Sequence, residues 1–138
     1  MVKISRKLEN GCRVLVQLAG RHATGGVSPV DELAAAEQVS PSFLLQILND
    51  LRKHGIVASR RGKFGGYQLA RHPRDITLAE IVSALEGSLI DPDFDAIGES
   101  GEKVLGAFRD VAETVTRELN AATLESIASR ESADMFYI

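Results

Sequence analysis

One cysteine in 138 residues leaves no room for an internal disulfide or for an all-cysteine metal site within a single chain. Tryptophan is absent and aromatic residues make up 5% of the chain. No apolar run approaches the roughly 18 residues that span a bilayer. The start carries no charged-then-apolar signal pattern, so the expectation is a cytoplasmic protein with no membrane partner. Proline is scarce, and two of the four, Pro29 and Pro41, each follow a serine where a helix would begin. The rest, 44% apolar and 25% charged, is the composition of an ordinary globular protein long enough to bury one core.

An overall excess of positive charge is missing too, since the formal net charge is −3. Averaged over the chain, that argues against a polyanionic partner. The two parts of the chain differ, however. Residues 1–74 hold 12 Lys and Arg against 5 Asp and Glu, whereas residues 75–138 hold 4 against 14. Screening confines charge effects to about 8–10 Å, so the local excess decides, and in the first part it suits phosphate.

Within the basic part, residues 28–70 read as two closely joined helices and a hairpin. Ser28 suits a helix N-cap, Pro29 the first helical position and Asp31 the positive helix end. Ser40-Pro41 starts a second helix, with Phe43, Leu44, Ile47, Leu48 and Leu51 on one face and Lys53-His54-Gly55 as its stop. Helices joined so tightly cross steeply, as in a helix-turn-helix. The strand-like runs 56–60 and 67–70 flank Gly62-Lys63-Phe64-Gly65-Gly66 and should pair, with Arg60, Arg61 and Lys63 at the tip. The fold class expected is therefore mainly α with a small β-hairpin wing. In such a winged helix-turn-helix the second helix enters the DNA major groove and the wing reaches phosphates or the minor groove.

Residues 5–19 read as a first helix, with Leu8, Cys12, Leu15 and Ala19 on one face and Gly20 as its stop. Lys3, Arg6 and Lys7 crowd its start beside Ser5. They are either a solvated helix end or a phosphate contact, and the surrounding charge favours contact. Thr77-Leu78-Ala79-Glu80 has the form of a capping box and opens a helix ending at Gly87, whose apolar face should pack on the first helix. Residues 88–101 interrupt the periodicity with Pro, Gly and four acidic residues and read as a loop. From Glu102, Val104, Phe108, Val111, Val115, Leu119 and Ala122 recur at steps of three and four, a dimerisation seam on a long helix. Thr123 restarts a short helix with Leu124 and Ile127, and the chain closes on Met135-Phe136-Tyr137-Ile138.

The organisation expected is a winged domain over residues 1–87, an acidic loop over 88–101, and a dimerisation helix with its tail over 102–138. The seam needs cover, from its own chain or from a second copy. A second copy is favoured, because one winged helix reads few base pairs and two about a two-fold axis read a near-palindrome.

Three stretches, SRKLENGCRVLVQLA, VSPSFLLQILNDLRKHGIVASRRGKFGGYQLAR and DITLAEIVSALEG, together resemble the Rrf-type family of bacterial winged-helix regulators. The resemblance is close over roughly residues 1–87 and extends to the long helix in arrangement. It implies a homodimer braced by that helix and bound to double-stranded promoter DNA, usually as a repressor. It places Ser40, Ser42, Phe43 and Gln46 where the recognition helix meets the groove, and Arg61 at the wing arginine that enters the minor groove. Gln46 can pair bidentately with adenine, worth about 1–3 kcal/mol of discrimination. A narrow minor groove concentrates the negative potential that Arg61 would meet. The candidate DNA surface is completed by Ser28, Leu45 and Asn49 on the helix pair, and by Ser59, Arg60, Lys63, Gly65, Gly66 and Tyr67 on the wing.

The chain departs from the family pattern in three places. Leu45 stands where some members carry a base-reading Glu, so contact with a thymine methyl would replace acceptance from cytosine. Lys63-Phe64 stands where Pro-Gly is common, giving a bulkier and more charged tip. Cluster-binding members carry three cysteines in the loop before the long helix, and this loop has none. Glu9, near a position where some members supply a carboxylate ligand, cannot alone hold a cluster that depends on thiolates. No cluster and no other cofactor is expected.

Other candidate sites are weaker. Cys12 reads as a core thiol, with a redox switch as the alternative. Asp91, Asp93, Asp95 and Glu102 match positions 1, 3, 5 and 12 of a calcium loop, but Ala96 and Gly98 stand where that motif needs Gly and Ile. A solvated acidic loop is the better reading, and no metal site is expected. His22, His54 and His72 are isolated in sequence, and Gly62 to Gly66 is a turn between strands rather than a phosphate cradle, so no enzyme is expected. The rival reading is a protein-interaction module built on the winged helix, against which the basic wing argues. A small-molecule effector is left open.

Overall fold

The computed structural model describes residues 3–131, so the closing Met135-Phe136-Tyr137-Ile138 lies outside the described residues. Helix α1 (Arg6–Arg21) starts where the Ser5 hydroxyl accepts the Leu8 N–H at 3.1 Å. It runs through Gly20, which local propensity alone would make a stop. A glycine inside a helix costs about 1 kcal/mol, and the last turn is held from outside. The Arg21 guanidinium donates to Ser28 Oγ at 3.0 Å and pairs with Glu32 at 3.3 Å.

Helices α2 (Val30–Glu37) and α3 (Pro41–Lys53) are joined by a three-residue turn. Gln38 takes the left-handed conformation there (φ 56°), Val39 is buried, and Ser40 caps α3 by accepting the Phe43 N–H at 3.3 Å. The start of α2 differs from expectation, because Pro29 rather than Ser28 is the N-cap. Ser28 is instead drawn into the wing. Its backbone N–H and carbonyl each bond Tyr67 at 2.8 Å, forming an antiparallel bridge.

Strands β1 (Val57–Arg60) and β2 (Gly66–Leu69) pair antiparallel, from Val57 opposite Leu69 to Arg60 opposite Gly66. The Ala70 N–H donates to the Ile56 carbonyl at 2.9 Å and extends the ladder by one pair, as the sequence runs anticipate. Helix α4 (Leu78–Leu85) is capped by the Thr77 hydroxyl, which accepts the Glu80 N–H at 3.2 Å. The other half of the expected capping box is not made. The Glu80 carboxylate is taken by the Arg71 guanidinium at 2.6 Å.

The core lies where α1, α3 and α4 meet, around Leu15, Leu44, Ile47, Leu48, Leu51 and Ile81, all fully buried. Helix α5 (Gly101–Ala121) then leads to α6 (Leu124–Ala128), which returns to this core. The Leu78 N–H donates to the Ala122 carbonyl and the Leu124 N–H to the Ile76 carbonyl, each at 2.8 Å, and Leu124 is fully buried. The segment after α5 thus packs into the same core as α1, α3 and α4. Among the described residues no helix is long and apolar enough to cross a membrane.

The long helix covers only part of its seam within the chain. Val115 and Leu119 are half-buried and line a groove against Val82 of α4, so the last third of α5 folds back on its own chain. Val104, Phe108 and Val111 remain exposed, with the Phe94 ring 6.0 Å from that of Phe108 in an edge-to-face contact.

Candidate nucleic-acid interface

Part of the sequence-predicted set lines one groove between α3 and the wing. Asn49 and Arg52 of α3 and Ser59, Arg60, Arg61, Gly65, Gly66 and Tyr67 of the wing line a concavity of about 610 Å³. On α3, Ser42, Leu45 and Gln46 are exposed on the side away from the core. Phe43 is half-buried and packs on the core, so it seats the helix. Arg60, Arg61 and Lys63 are exposed, and among the described residues none has an ion-pair partner. Cations without internal partners are the groups that can release counterions from a phosphate backbone.

Arg52 is the member that the sequence reading missed. It donates to Asn49 Oδ1 at 2.8 Å, one helical turn back. That i, i+3 spacing was visible, but the residue falls in the last turn, where a basic side chain also suits the helix dipole.

The start of α1 lies beside the helix-turn-helix turn. Ile4, Ser5 and Arg6 share a second shallow groove with Gln38 at the helix-turn-helix turn. Lys3 and Arg6 are exposed and, among the described residues, unpaired. Lys7 is not free: its ammonium lies 2.6 Å from Asp50 and its hydrogen bond holds that carboxyl below the usual carboxylate range. Ser5 is also engaged, since its hydroxyl accepts from Leu8 and donates to Glu86. Its role is to set the helix start, with the basic side chains beside it.

Ser28 is the clearest correction. At 0% exposure it cannot touch DNA, and its part is to anchor the wing. Gly66 makes that anchor possible, because a Cβ there would drive into the Ser28 carbonyl and the Pro29 nitrogen. Gly65 is under a similar constraint from the Arg60 carbonyl at the wing tip. Gly66→Ala should therefore cost about 1–3 kcal/mol in overpacking. It should also speed exchange of the Ser28 and Tyr67 amides in hydrogen–deuterium measurements while leaving the α3 amides protected. Unchanged protection at Ser28 would show that the bridge does not hold the wing.

Cys12 lies half-buried on α1 against the core. Burial, with the Glu9 carboxylate adding to it, pushes the thiol up to about 11. Reactivity follows the thiolate, so the folded protein at pH 8 should react with a disulfide reagent about 100-fold more slowly than the unfolded chain. Equal rates in both states would return Cys12 to the redox reading. The sign is that of a group whose acidity is suppressed by folding: its reactivity returns only as pH rises toward 11.

A helix-turn-helix followed by a two-stranded basic wing is the winged helix-turn-helix class of fold. The chain belongs to the Rrf2 family, whose model, described as an iron-dependent transcriptional regulator, matches residues 4–131. An HTH-type transcriptional regulator of Mycobacterium tuberculosis is 42% identical over 88 residues, 64% of this chain but only 54% of that protein. The chain thus spans about half the length of that relative. CymR of Bacillus subtilis is 33% identical over 141 residues, covering 99% of this chain and 100% of CymR. Its solved structure, described as that of the Global Cysteine Regulator, superposes with a TM-score of 0.82 at 32% identity, over 96% of this chain and 100% of that one. T. potens IscR superposes with a TM-score of 0.74 at 31% identity, over 98% and 96%. These relatives are regulators, not enzymes.

The family description names iron, and the donors present do not fit a thiolate-held cluster. The one thiol is held protonated against the core, and Asp91, Asp93 and Asp95 of the loop before α5 are exposed carboxylates. His22 and His72, isolated in sequence, do meet with ring centres 5.1 Å apart. Among the described residues, however, no three His, Cys, Asp or Glu side chains converge to hold a metal ion.

Proposed function

We propose that the chain acts as a homodimer that occupies a near-palindromic promoter site and represses transcription there. The observation that carries this reading is the cationic groove between α3 and the wing, set on the same molecule as an open apolar stripe on α5. Helix α3 lies in the major groove, with Gln46 pairing to adenine and Leu45 against a thymine methyl. Arg61 enters the neighbouring minor groove, and Lys3 and Arg6 contact flanking phosphates. Two copies joined through Val104, Phe108 and Val111 set two reading heads about one helical turn of DNA apart. A small-molecule effector would act on that spacing, and the groove between α4 and α5, about 190 Å³, is where it would separate the reading head from the long helix.

Sedimentation of wild type and Val111→Asp tests the assembly. Wild type should run at about twice the 14.9 kDa chain mass, and a charge in the stripe should give a folded monomer with operator binding largely lost. A wild-type monomer that binds its site with full affinity would overturn the dimer reading.

A further inference from the structure

We propose that Phe64 is a wedge that enters a base step in the minor groove and bends the DNA beneath the wing; this rests on the DNA-binding reading above. Phe64 is 83% exposed, more than any other large apolar side chain described. Its place is set by the turn that closes the wing. The Gly65 N–H donates to the Gly62 carbonyl at 3.0 Å, which leaves Lys63 and Phe64 as the two central residues of the tip. The ring takes no part in the core.

What surrounds the ring identifies its target. The Lys63 ammonium lies 5.8 Å from the ring centre, and Arg60 and Arg61 are exposed at the base of the same turn. An apolar protein pocket that accepted this tip would have to desolvate those cations without partners, which is costly. A minor groove receives both kinds of group, with phosphates along its walls for the cations and base faces within for the ring. Apolar side chains that enter it unstack one step and kink the duplex, typically by about 20–90°. Pyrimidine–purine steps unstack most readily, so the wedge would select flexible steps at positions that no hydrogen bond reads.

Phe64 therefore adds a shape-reading element to the base contacts of α3. Arg61 and Phe64 divide the work of the wing: the arginine is drawn by groove potential and the ring by the ease of unstacking.

The test uses operator fragments recovered with the full-length wild type and carries 2-aminopurine at successive steps flanking each half-site. Wild type should raise the fluorescence of one step beneath the wing and bend the fragment by about 20° or more in an energy-transfer assay. Phe64→Ala should bind about 10-fold more weakly with the same salt slope, without the fluorescence rise or the bend. Phe64→Trp should keep both signals. Replacing the unstacked step by a G·C-rich one should weaken wild type and leave Phe64→Ala unaffected. A Phe64→Ala protein that still bends the DNA and lights the same step overturns the wedge, whatever its affinity. Failure of wild type to bind any fragment overturns the DNA-binding reading as well, and shows in the wild-type arm alone.

Discussion

Arg61→Ala should lower operator affinity by about 100-fold and flatten the salt dependence by about two units of slope. Arg61 lines the groove, is exposed on the wing and has no ion-pair partner among the described residues. Its removal therefore leaves no buried charge behind and should not unfold the protein. One such contact is worth about 1.4 kcal/mol at the lower end of the usual range, and a dimer loses two, which gives the 100-fold figure. Each cation lost from the phosphate field also reduces the log–log salt slope by about 0.9. The slope thus counts the copies on the DNA: a change near two means a dimer, a change near one a monomer. Arg61→Lys keeps the charge but not the planar fork, so it should retain the slope while losing part of the affinity. A full-affinity Arg61→Ala protein would remove the wing from the interface.

Leu124→Ala should destabilise the fold by about 3 kcal/mol, within the 2–5 kcal/mol usual for a fully buried leucine. The size of the effect follows from where the chain goes after α5. The bonds Leu78 to Ala122 and Leu124 to Ile76 tie this segment to the entrance of α4, and Thr123 and Ser126 cap α6 reciprocally. Urea denaturation of the variant should show a lower midpoint with an unchanged slope. A loss below about 0.5 kcal/mol is what an exposed position shows, and it would mean that the C-terminal segment is not part of the core.

The helix-turn-helix and wing were largely legible in the sequence because their signals are local. Ser40-Pro41 caps α3 as written, Gly55 ends it, and the paired strands lie where the apolar runs and the glycine-rich turn put them. What escaped was set by partners distant along the chain. Ser28 has the chemistry of a cap, but pairing with Tyr67 draws it into the wing and passes the cap position to Pro29. Glu80 has the spacing of a capping box, but Arg71 takes its carboxylate. Gly20 has the look of a stop, but the contacts of Arg21 with Ser28 and Glu32 carry α1 past it. The apolar stripe on α5 is legible as a pattern, yet a pattern cannot say which of its residues meet the same chain. Val115 and Leu119 pack beside α4, and Val104, Phe108 and Val111 stay exposed.

The central claim is sequence-specific DNA recognition by α3 and the wing, and selection from fragmented genomic DNA at two salt concentrations tests it most directly. Wild type and Arg61→Ala would be run side by side and the retained fragments sequenced. Wild type should recover one recurring near-palindrome, with half-sites about one helical turn apart. Retention should fall steeply with salt and be lost with Arg61→Ala. Wild-type protein that retains no enriched sequence even at low salt would contradict the claim.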